Sequence, residues 1–130
     1  MRKVIWGVIS TAKIGRDRVL PGMKKSSLLE IRAIASRDDA RARATADALG
    51  IPRAYGSYEA LLADPEIEAV YNPLPNHLHV PLTLQAAAAG KHVLCEKPIA
   101  LTAEEATALR ATKGKALVAE AFMVRFHPQW

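Results

Sequence analysis

Short apolar runs alternate with helix-forming segments along the whole chain, and this alternation limits the folds that the chain can adopt. Five runs have the composition of strands, at residues 3–9, 28–35, 67–71, 92–95 and 116–119. Nearly continuous apolar strands are typical of parallel sheets that are covered on both faces. Because parallel strands need crossover connections, the segments between them are predicted to be helices. The sequence therefore predicts an α/β protein with a doubly wound parallel sheet.

Local signals predict where individual helices begin and end. Asp38 or Asp39 is expected to cap the helix that follows the second strand, and Gly50 is expected to end it. Pro21 is expected to break or kink the first helix at Leu20, because proline cannot donate the helical hydrogen bond.

Composition narrows the class of protein. With 130 residues, of which 50% are hydrophobic and 24% charged, the chain suits one soluble domain. No apolar run approaches the ~20 residues of a membrane span, and no signal peptide is evident, so we expect a cytoplasmic protein. Cys95 is the single cysteine, which excludes an intrachain disulfide; we interpret it as a buried strand residue rather than a reactive thiol.

The net charge of +5 favours an anionic partner. Basic residues are spread along the chain and aromatic residues make up only 5% of it, so nucleic acid is not the partner we expect. We also predict no metal site.

The segment Gly7–Gly15 (GVISTAKIG) joins the first strand to the first helix. Dinucleotide sites place three small residues in this turn so that main-chain N–H groups approach the pyrophosphate. Ser10, Ala12 and Gly15 occupy the three positions, although a simple tight turn would have the same appearance. The predicted cofactor contacts in this turn are Ser10, Thr11, Ala12, Lys13 and Ile14.

Ser36 and Arg37 follow the second strand, where NAD-selective proteins usually offer a carboxylate to the ribose. A serine hydroxyl and a guanidinium would instead bind a ribose 2′-phosphate, which favours NADP over NAD. The alternative is an exposed arginine at a helix start.

The turn VYNPLPNHLH, residues 70–79, lies at the predicted reversal of strand order, where such sheets bind ligands. Its two prolines stiffen the backbone, so we predict that Asn72, Leu74 and Asn76 contact the nicotinamide half of the cofactor. His77 is expected to be an exposed bystander. For His79, both packing at the helix start and a role in the site remain open.

Residues 86–98 (AAAAGKHVLCEKP) complete a recognisable pattern. With the Asn- and Pro-rich turn, His79, the Gly90–Val93 stretch and the Glu96-Lys97-Pro98 tripeptide, the chain resembles the glucose–fructose oxidoreductase, inositol dehydrogenase and rhizopine-catabolism (Gfo/Idh/MocA) family. Residues 7–23 and 120–129 also look like family segments. Within the family, the chain looks closest to NADP-linked sugar and dihydrodiol dehydrogenases.

The resemblance implies a Rossmann fold and roles for several residues. Lys97 would be the catalytic residue that reaches a substrate hydroxyl beside the nicotinamide ring, while Glu96, Lys97, His79 and Arg125 would approach the cofactor. It also suggests a cis peptide bond before Pro98. The alternative for Glu96 and Lys97 is a surface ion pair at a strand end.

The resemblance further implies how the chain is organised. Residues 1–120 would form the dinucleotide-binding domain, and residues 121–130 an exit segment toward a C-terminal α/β substrate domain that this sequence lacks. We therefore expect the NADP-binding half of an oxidoreductase that transfers hydride to or from a sugar, polyol or dihydrodiol hydroxyl, truncated relative to the family and inactive alone. A stand-alone NADP-binding or redox-sensing protein is the alternative. The apolar residues at 122–130 also predict a homo-oligomer.

Overall fold

A single six-stranded sheet organises the computed structural model, which describes all residues from Met1 to Trp130. The strands are β1 (Val4–Ile9), β2 (Leu29–Ala35), β3 (Arg53–Tyr55), β4 (Ala69–Asn72), β5 (His92–Glu96) and β6 (Val118–Ala121). Every neighbouring pair is parallel, and the spatial order is β3-β2-β1-β4-β5-β6. This is the order of a doubly wound dinucleotide-binding fold, so the predicted fold class is confirmed.

Five α-helices cover the two faces of this sheet. They are α1 (Leu20–Met23), α2 (Asp39–Leu49), α3 (Tyr58–Leu62), α4 (His79–Ala88) and α5 (Ala103–Ala108). The predicted ends of α2 are confirmed: the Asp38 carboxylate accepts a hydrogen bond from the Arg41 N–H at 3.0 Å, and Gly50 ends the helix with φ 61°.

The core is divided by the sheet into two layers. Adjacent residues of β1 point to opposite faces, so Val8 packs with Leu20 and Ala46 on one side, whereas Ile9 packs with the α3 and α4 side chains on the other. Since β1 and β4 are neighbours whose crossovers lie on opposite sides, a crevice opens between their carboxyl ends.

The first helix differs from its prediction. Residues Gly15–Val19 form a π-helical turn in which the Leu20 N–H donates to the Gly15 carbonyl, and α1 follows without interruption. Pro21 has no N–H to donate, and its ring would collide with the carbonyl four residues earlier in a regular α-helix. The wider turn accommodates this proline: the helix continues through Leu20 without the break that was one of the two predicted outcomes, and it changes there from π to α.

Two strands also differ from the sequence prediction. β3 has only three residues and no clear apolar alternation, so the sequence did not predict it. The last strand lies at Val118–Ala121 instead of residues 116–119, because Ala116 still belongs to the preceding turn and Leu117 is exposed.

Candidate cofactor site

Two clefts open at the carboxyl ends of the strands, on either side of the turn that follows β4. The larger has a volume of about 810 Å³ and the smaller about 390 Å³, and Leu74 lines both. Ile14 lines the larger cleft, whereas Ser10, Thr11 and Ala12 line the smaller. The turn after β1 therefore lies between two adjoining cavities. This arrangement suits a dinucleotide, whose two halves need separate cavities.

The turn after β1 is held in a conformation that L-residues rarely adopt. Ser10 has φ 95°, its N–H donates to the Ala35 carbonyl at 2.9 Å, and its hydroxyl accepts a hydrogen bond from the Ala12 N–H at 3.2 Å. This is the position at which dinucleotide-binding proteins place the first glycine of their fingerprint. Lys13 lines neither cleft and forms an ion pair with Asp17.

Gly15 sets the distance between the first helical turn and β4. It is buried, and a Cβ built on it would lie 3.3 Å from Cε1 of Tyr71 and 3.6 Å from Cγ of Pro73. A side chain here would push the turn after β1 away from the sheet. Gly15 thus has the packing role of the third glycine in the fingerprint.

The smaller cleft is cationic. Arg37 and Arg41 line it, and none of its 11 lining residues is acidic. Ser36 lies at its base, 7% exposed, where its hydroxyl accepts a hydrogen bond from the Asp38 N–H at 3.2 Å. Since the Asp38 carboxylate caps α2 through Arg41, it does not face the cleft.

The turn after β4 is fixed by Asn72 from beneath. Its Oδ1 accepts from the Leu74 N–H at 3.2 Å, and its Nδ2 donates to the His79 carbonyl at 3.3 Å. Asn72 has no exposed surface, so the prediction that it contacts the cofactor is corrected: in this geometry it shapes the turn. Leu74 and the exposed Asn76 line the larger cleft, and their contact with the nicotinamide half of a cofactor stays a prediction.

His79 packs at the start of α4 and also borders the larger cleft, so its packing role is observed and its role in the site stays a prediction. The ring is 1% exposed at the start of α4 and also lines the larger cleft. Its Nδ1 lies 2.6 Å from the Pro98 carbonyl oxygen, and its Nε2 lies 2.6 Å from the Leu74 carbonyl oxygen. His79 thereby joins the turn after β4 to the loop after β5, and these two segments form adjacent walls of the larger cleft.

The larger cleft contains Glu96 and Lys97 at the end of β5. The Glu96 carboxylate accepts one hydrogen bond from the Tyr71 hydroxyl at 2.7 Å and another from the Lys97 N–H at 3.2 Å. Burial, and then the hydrogen bond to Glu96, raise the pKa of Tyr71, so the phenol stays protonated and donates. The Lys97 side chain is exposed, and the peptide bond to Pro98 is cis, as the resemblance suggested.

The remaining predicted residues lie at the edges of the site or outside it. Arg125 belongs to a 3₁₀ turn at Met123–Phe126 and lines neither cleft. His77 is exposed, as predicted, but it does line the smaller cleft. Cys95 is fully buried in β5, as predicted, and burial raises the pKa of its thiol to about 11.

Several lining residues were missed by sequence reasoning. Arg41 and Tyr58 complete the smaller cleft, while Arg18, Met123 and Phe126 contribute to the larger. Only Arg41 had a usable signal, because it lies in the first turn of the helix that begins just after Arg37.

The structure contains no group of three or more His, Cys, Asp or Glu side chains arranged to hold a metal ion. None of its helices has the length and apolar character needed to cross a membrane.

The comparisons with known proteins agree with this architecture. A family model described as an oxidoreductase family with an NAD-binding Rossmann fold matches residues 4–122. The chain is 52% identical to the NADP⁺-dependent D-xylose 1-dehydrogenase 2 of Haloferax volcanii, over 96% of this chain and 39% of that protein. It is 38% identical to trans-1,2-dihydrobenzene-1,2-diol dehydrogenase of Xenopus tropicalis, over 95% of this chain and 38% of that protein.

Among solved structures, the 3-ketoreductase KijD10 of Actinomadura kijaniata, in complex with TDP-benzene and NADP, superposes with a TM-score of 0.93 at 38% identity. The match covers 98% of this chain and 41% of that one. The chain thus spans about 40% of the length of the relatives it matches. It belongs to the Gfo/Idh/MocA oxidoreductase family and contains the NAD(P)-binding Rossmann domain of that family.

Proposed function

We propose that this chain is the NADP-binding domain of an oxidoreductase that transfers hydride between the nicotinamide and a hydroxyl-bearing carbon of a sugar, polyol or dihydrodiol. One observation carries the proposal of NADP: the smaller cleft presents Ser36, Arg37 and Arg41 without any carboxylate. A ribose 2′-phosphate adds about two negative charges, which guanidinium groups bind by charge-assisted hydrogen bonds. A carboxylate at this place would repel it.

The residues present fit the cofactor. The two adjoining clefts meet at Leu74, the turn after β1 carries small residues at the phosphate-facing positions, and a Cβ at Gly15 would disturb the turn that separates them. We place the adenosine half in the smaller cleft and the nicotinamide half in the larger. When bound, the nicotinamide ring supplies the hydride acceptor or donor.

Lys97 is the proposed catalytic residue. It lies in the larger cleft with no carboxylate within 4.0 Å of its amine. In the oxidative direction the amine would hydrogen-bond the substrate hydroxyl and accept its proton as the carbon loses hydride; in reduction it would return that proton to the carbonyl oxygen. The names of the xylose and dihydrodiol dehydrogenase relatives support this substrate class.

Domain organisation and location belong to the same proposal. We assign cofactor binding to residues 1–120 and treat residues 121–130 as the segment leading toward a substrate domain, in a cytoplasmic enzyme. Relatives are about two and a half times as long, so the 130 residues alone are expected to bind cofactor without turnover.

Titration with NADPH and NADH, followed by nicotinamide fluorescence, tests the cofactor assignment. NADPH should bind at least about tenfold more tightly than NADH, and Arg37→Ala should weaken NADPH binding by about tenfold with little change for NADH, since a hydrogen bond to a charged group contributes about 1.5–3 kcal/mol. Arg110→Ala, at an exposed position away from the clefts, is the control. Equal binding of both nucleotides would refute the assignment.

Nicotinamide absorbance with D-xylose and with a trans-dihydrodiol tests the activity. No change is expected for the 130 residues alone, and turnover is expected when the chain is joined to the C-terminal domain of the xylose dehydrogenase relative. A fused protein that binds NADPH but oxidises neither substrate would contradict the proposed substrate class.

A further inference from the structure

A buried tyrosine donates a hydrogen bond to the carboxylate that precedes the proposed catalytic lysine in the sequence. Tyr71 has no exposed surface, and its ring edge packs against the backbone of Gly15. Its hydroxyl donates to Oε1 of Glu96 at 2.7 Å, at the wall of the larger cleft. Because the ring is enclosed on all sides, the phenol is a fixed donor that cannot follow the carboxylate if the carboxylate turns.

The second oxygen of Glu96 is also engaged. Oε2 accepts from the main-chain N–H of Lys97 at 3.2 Å, so the carboxylate is held at both oxygens. Glu120 on the neighbouring strand β6 is occupied in the same way, since its Oε2 accepts from the Ile99 N–H at 2.8 Å. The acidic side chains of β5 and β6 nearest to Lys97 therefore both bond to the protein backbone.

No other side chain of the larger cleft is an anion that could pair with the lysine amine. The titratable lining residues besides Glu96 and Lys97 are Arg18 from the π-helical turn and His79 from α4. Glu96 is thus the single carboxylate of the cleft, and its orientation decides whether Lys97 faces the cleft as a free amine or as half of an ion pair.

We propose that Tyr71 is a positioning residue: by holding the Glu96 carboxylate, it keeps the Lys97 amine unpaired in the cleft and available to a substrate oxygen. The importance of Lys97 rests on the proposed function, whereas the coupling between the three side chains does not. Without the phenol, Glu96 would lose its fixed partner and turn toward the adjacent ammonium. The resulting ion pair would retain the proton on Lys97 and lower its reactivity as a base.

Amine labelling of the cofactor-free protein tests this coupling. The protein is treated briefly with acetic anhydride between pH 7 and 10, and acetylation of Lys97 is quantified by peptide mass spectrometry against the exposed Lys113, because only an uncharged amine reacts. Tyr71→Phe should slow labelling of Lys97 by about two- to fivefold at pH 8, the effect expected of an exposed ion pair. Tyr71→Phe/Glu96→Gln should label like the wild type, because no carboxylate remains to pair.

Tyr55→Phe is the matched control. Tyr55 also donates its hydroxyl to a carboxylate, that of Asp64 at 2.8 Å, but on the distant strand β3. Its loss should lower stability without changing Lys97 labelling. A purely structural role for Tyr71 would give the same result in both tyrosine variants, so wild-type labelling in folded Tyr71→Phe overturns the proposal, as does slow labelling that persists in the double variant.

If Tyr71→Phe does not fold, the single variant Glu96→Gln tests whether the Lys97 amine is unpaired in the wild type. Labelling of Lys97 within about twofold of the wild type supports an unpaired amine, because the removed carboxylate was held elsewhere. A rise of about fivefold or more would show that Glu96 already pairs with Lys97, and would overturn the proposal. None of these measurements uses a nucleotide, so failure of the NADPH titration would leave the coupling intact, and the reverse also holds.

Discussion

Gly15 shows how one absent side chain sets the geometry of the candidate site. Gly15→Val should lower the free energy of unfolding by about 1–3 kcal/mol, since its Cβ would press on Tyr71 at 3.3 Å and its methyl groups would approach still closer. Chemical denaturation measures this. NADPH binding should weaken as well, because the turn after β1 would move.

Gly22→Val is the control for that substitution. Gly22 lies in α1 with nothing within 4 Å of its built Cβ, so the free energy of unfolding should change by less than about 0.5 kcal/mol. Equal losses in the two variants would show that a general effect of valine in this helical segment, and not the contact with Tyr71, accounts for the loss at Gly15.

At the scale of residues, local chemistry was predictable from sequence and contacts between distant residues were not. Ser36 and Arg37 follow a strand directly, so their place in the smaller cleft follows from the topology. The bond between Tyr71 and Glu96 joins residues 25 positions apart. Asn72 was misjudged for a different reason: a polar side chain in a turn can face a ligand or the turn itself, and the sequence does not distinguish the two.

Among the elements, α2 depends on its N-cap and also carries Arg41 into the smaller cleft. Asp38→Ala should lower the free energy of unfolding by about 1 kcal/mol, because the Arg41 N–H would lose its acceptor. Asp38→Asn should preserve stability, since asparagine caps equally well. Thermal denaturation of the two variants distinguishes the cap from the charge: equal losses would show that the charge matters more.

The buried carboxylate of Asp64 accepts hydrogen bonds from Arg53 and Tyr55 of strand β3. Its ionisation makes the stability of the fold depend on pH. Burial pushes the pKa of Asp64 up, but hydrogen bonds from the Glu66 N–H, Tyr55 and Arg53 outweigh burial and lower the pKa below its ordinary value of 3.8. A lowered pKa means that Asp64 stabilises the fold above pH 3.8 and loses this contribution as the pH falls further.

Asp64→Asn should therefore lower the free energy of unfolding by about 2 kcal/mol at pH 7, and by progressively less as the pH falls below 3.8 and the wild-type carboxyl becomes protonated. Urea denaturation at several pH values measures both. Asp47→Asn, which removes an exposed partner of Arg43, should cost less than about 0.5 kcal/mol at any pH. A constant difference between Asp64→Asn and the wild type across this range would contradict the linkage.

The elements also show where sequence periodicity ceases to be informative. Long apolar runs such as β1 and β2 and capped helices such as α2 were found within a residue or two. β3 was missed because three residues cannot display a period, and its position is fixed by pairing with β2. The π-helical turn before Pro21 was also missed. It relieves the clash between the proline ring and a preceding carbonyl, and no sequence pattern indicates how the chain relieves such a clash.

For the whole molecule, the distribution of exposed apolar side chains is uneven. Of the 11 large hydrophobic residues that are exposed, six lie between residues 117 and 130, and Phe126 and Trp130 are 77% and 80% exposed. The same end of the sheet carries β6, an edge strand whose outer side is unpaired. An apolar face beside an open edge is the kind of surface that proteins cover by association.

We therefore predict that the 130-residue chain self-associates through this face, as its apolar C-terminal residues also suggested from sequence. Light scattering coupled to gel filtration should give a mass above that of one chain, rising with protein concentration. Phe126→Glu should shift the population toward monomer, because a charge in an apolar contact carries a desolvation cost. Leu28→Glu, which places the same charge at an exposed apolar residue outside this face, should leave the mass unchanged. A wild-type chain that remains monomeric at high concentration would show that the face stays open to solvent.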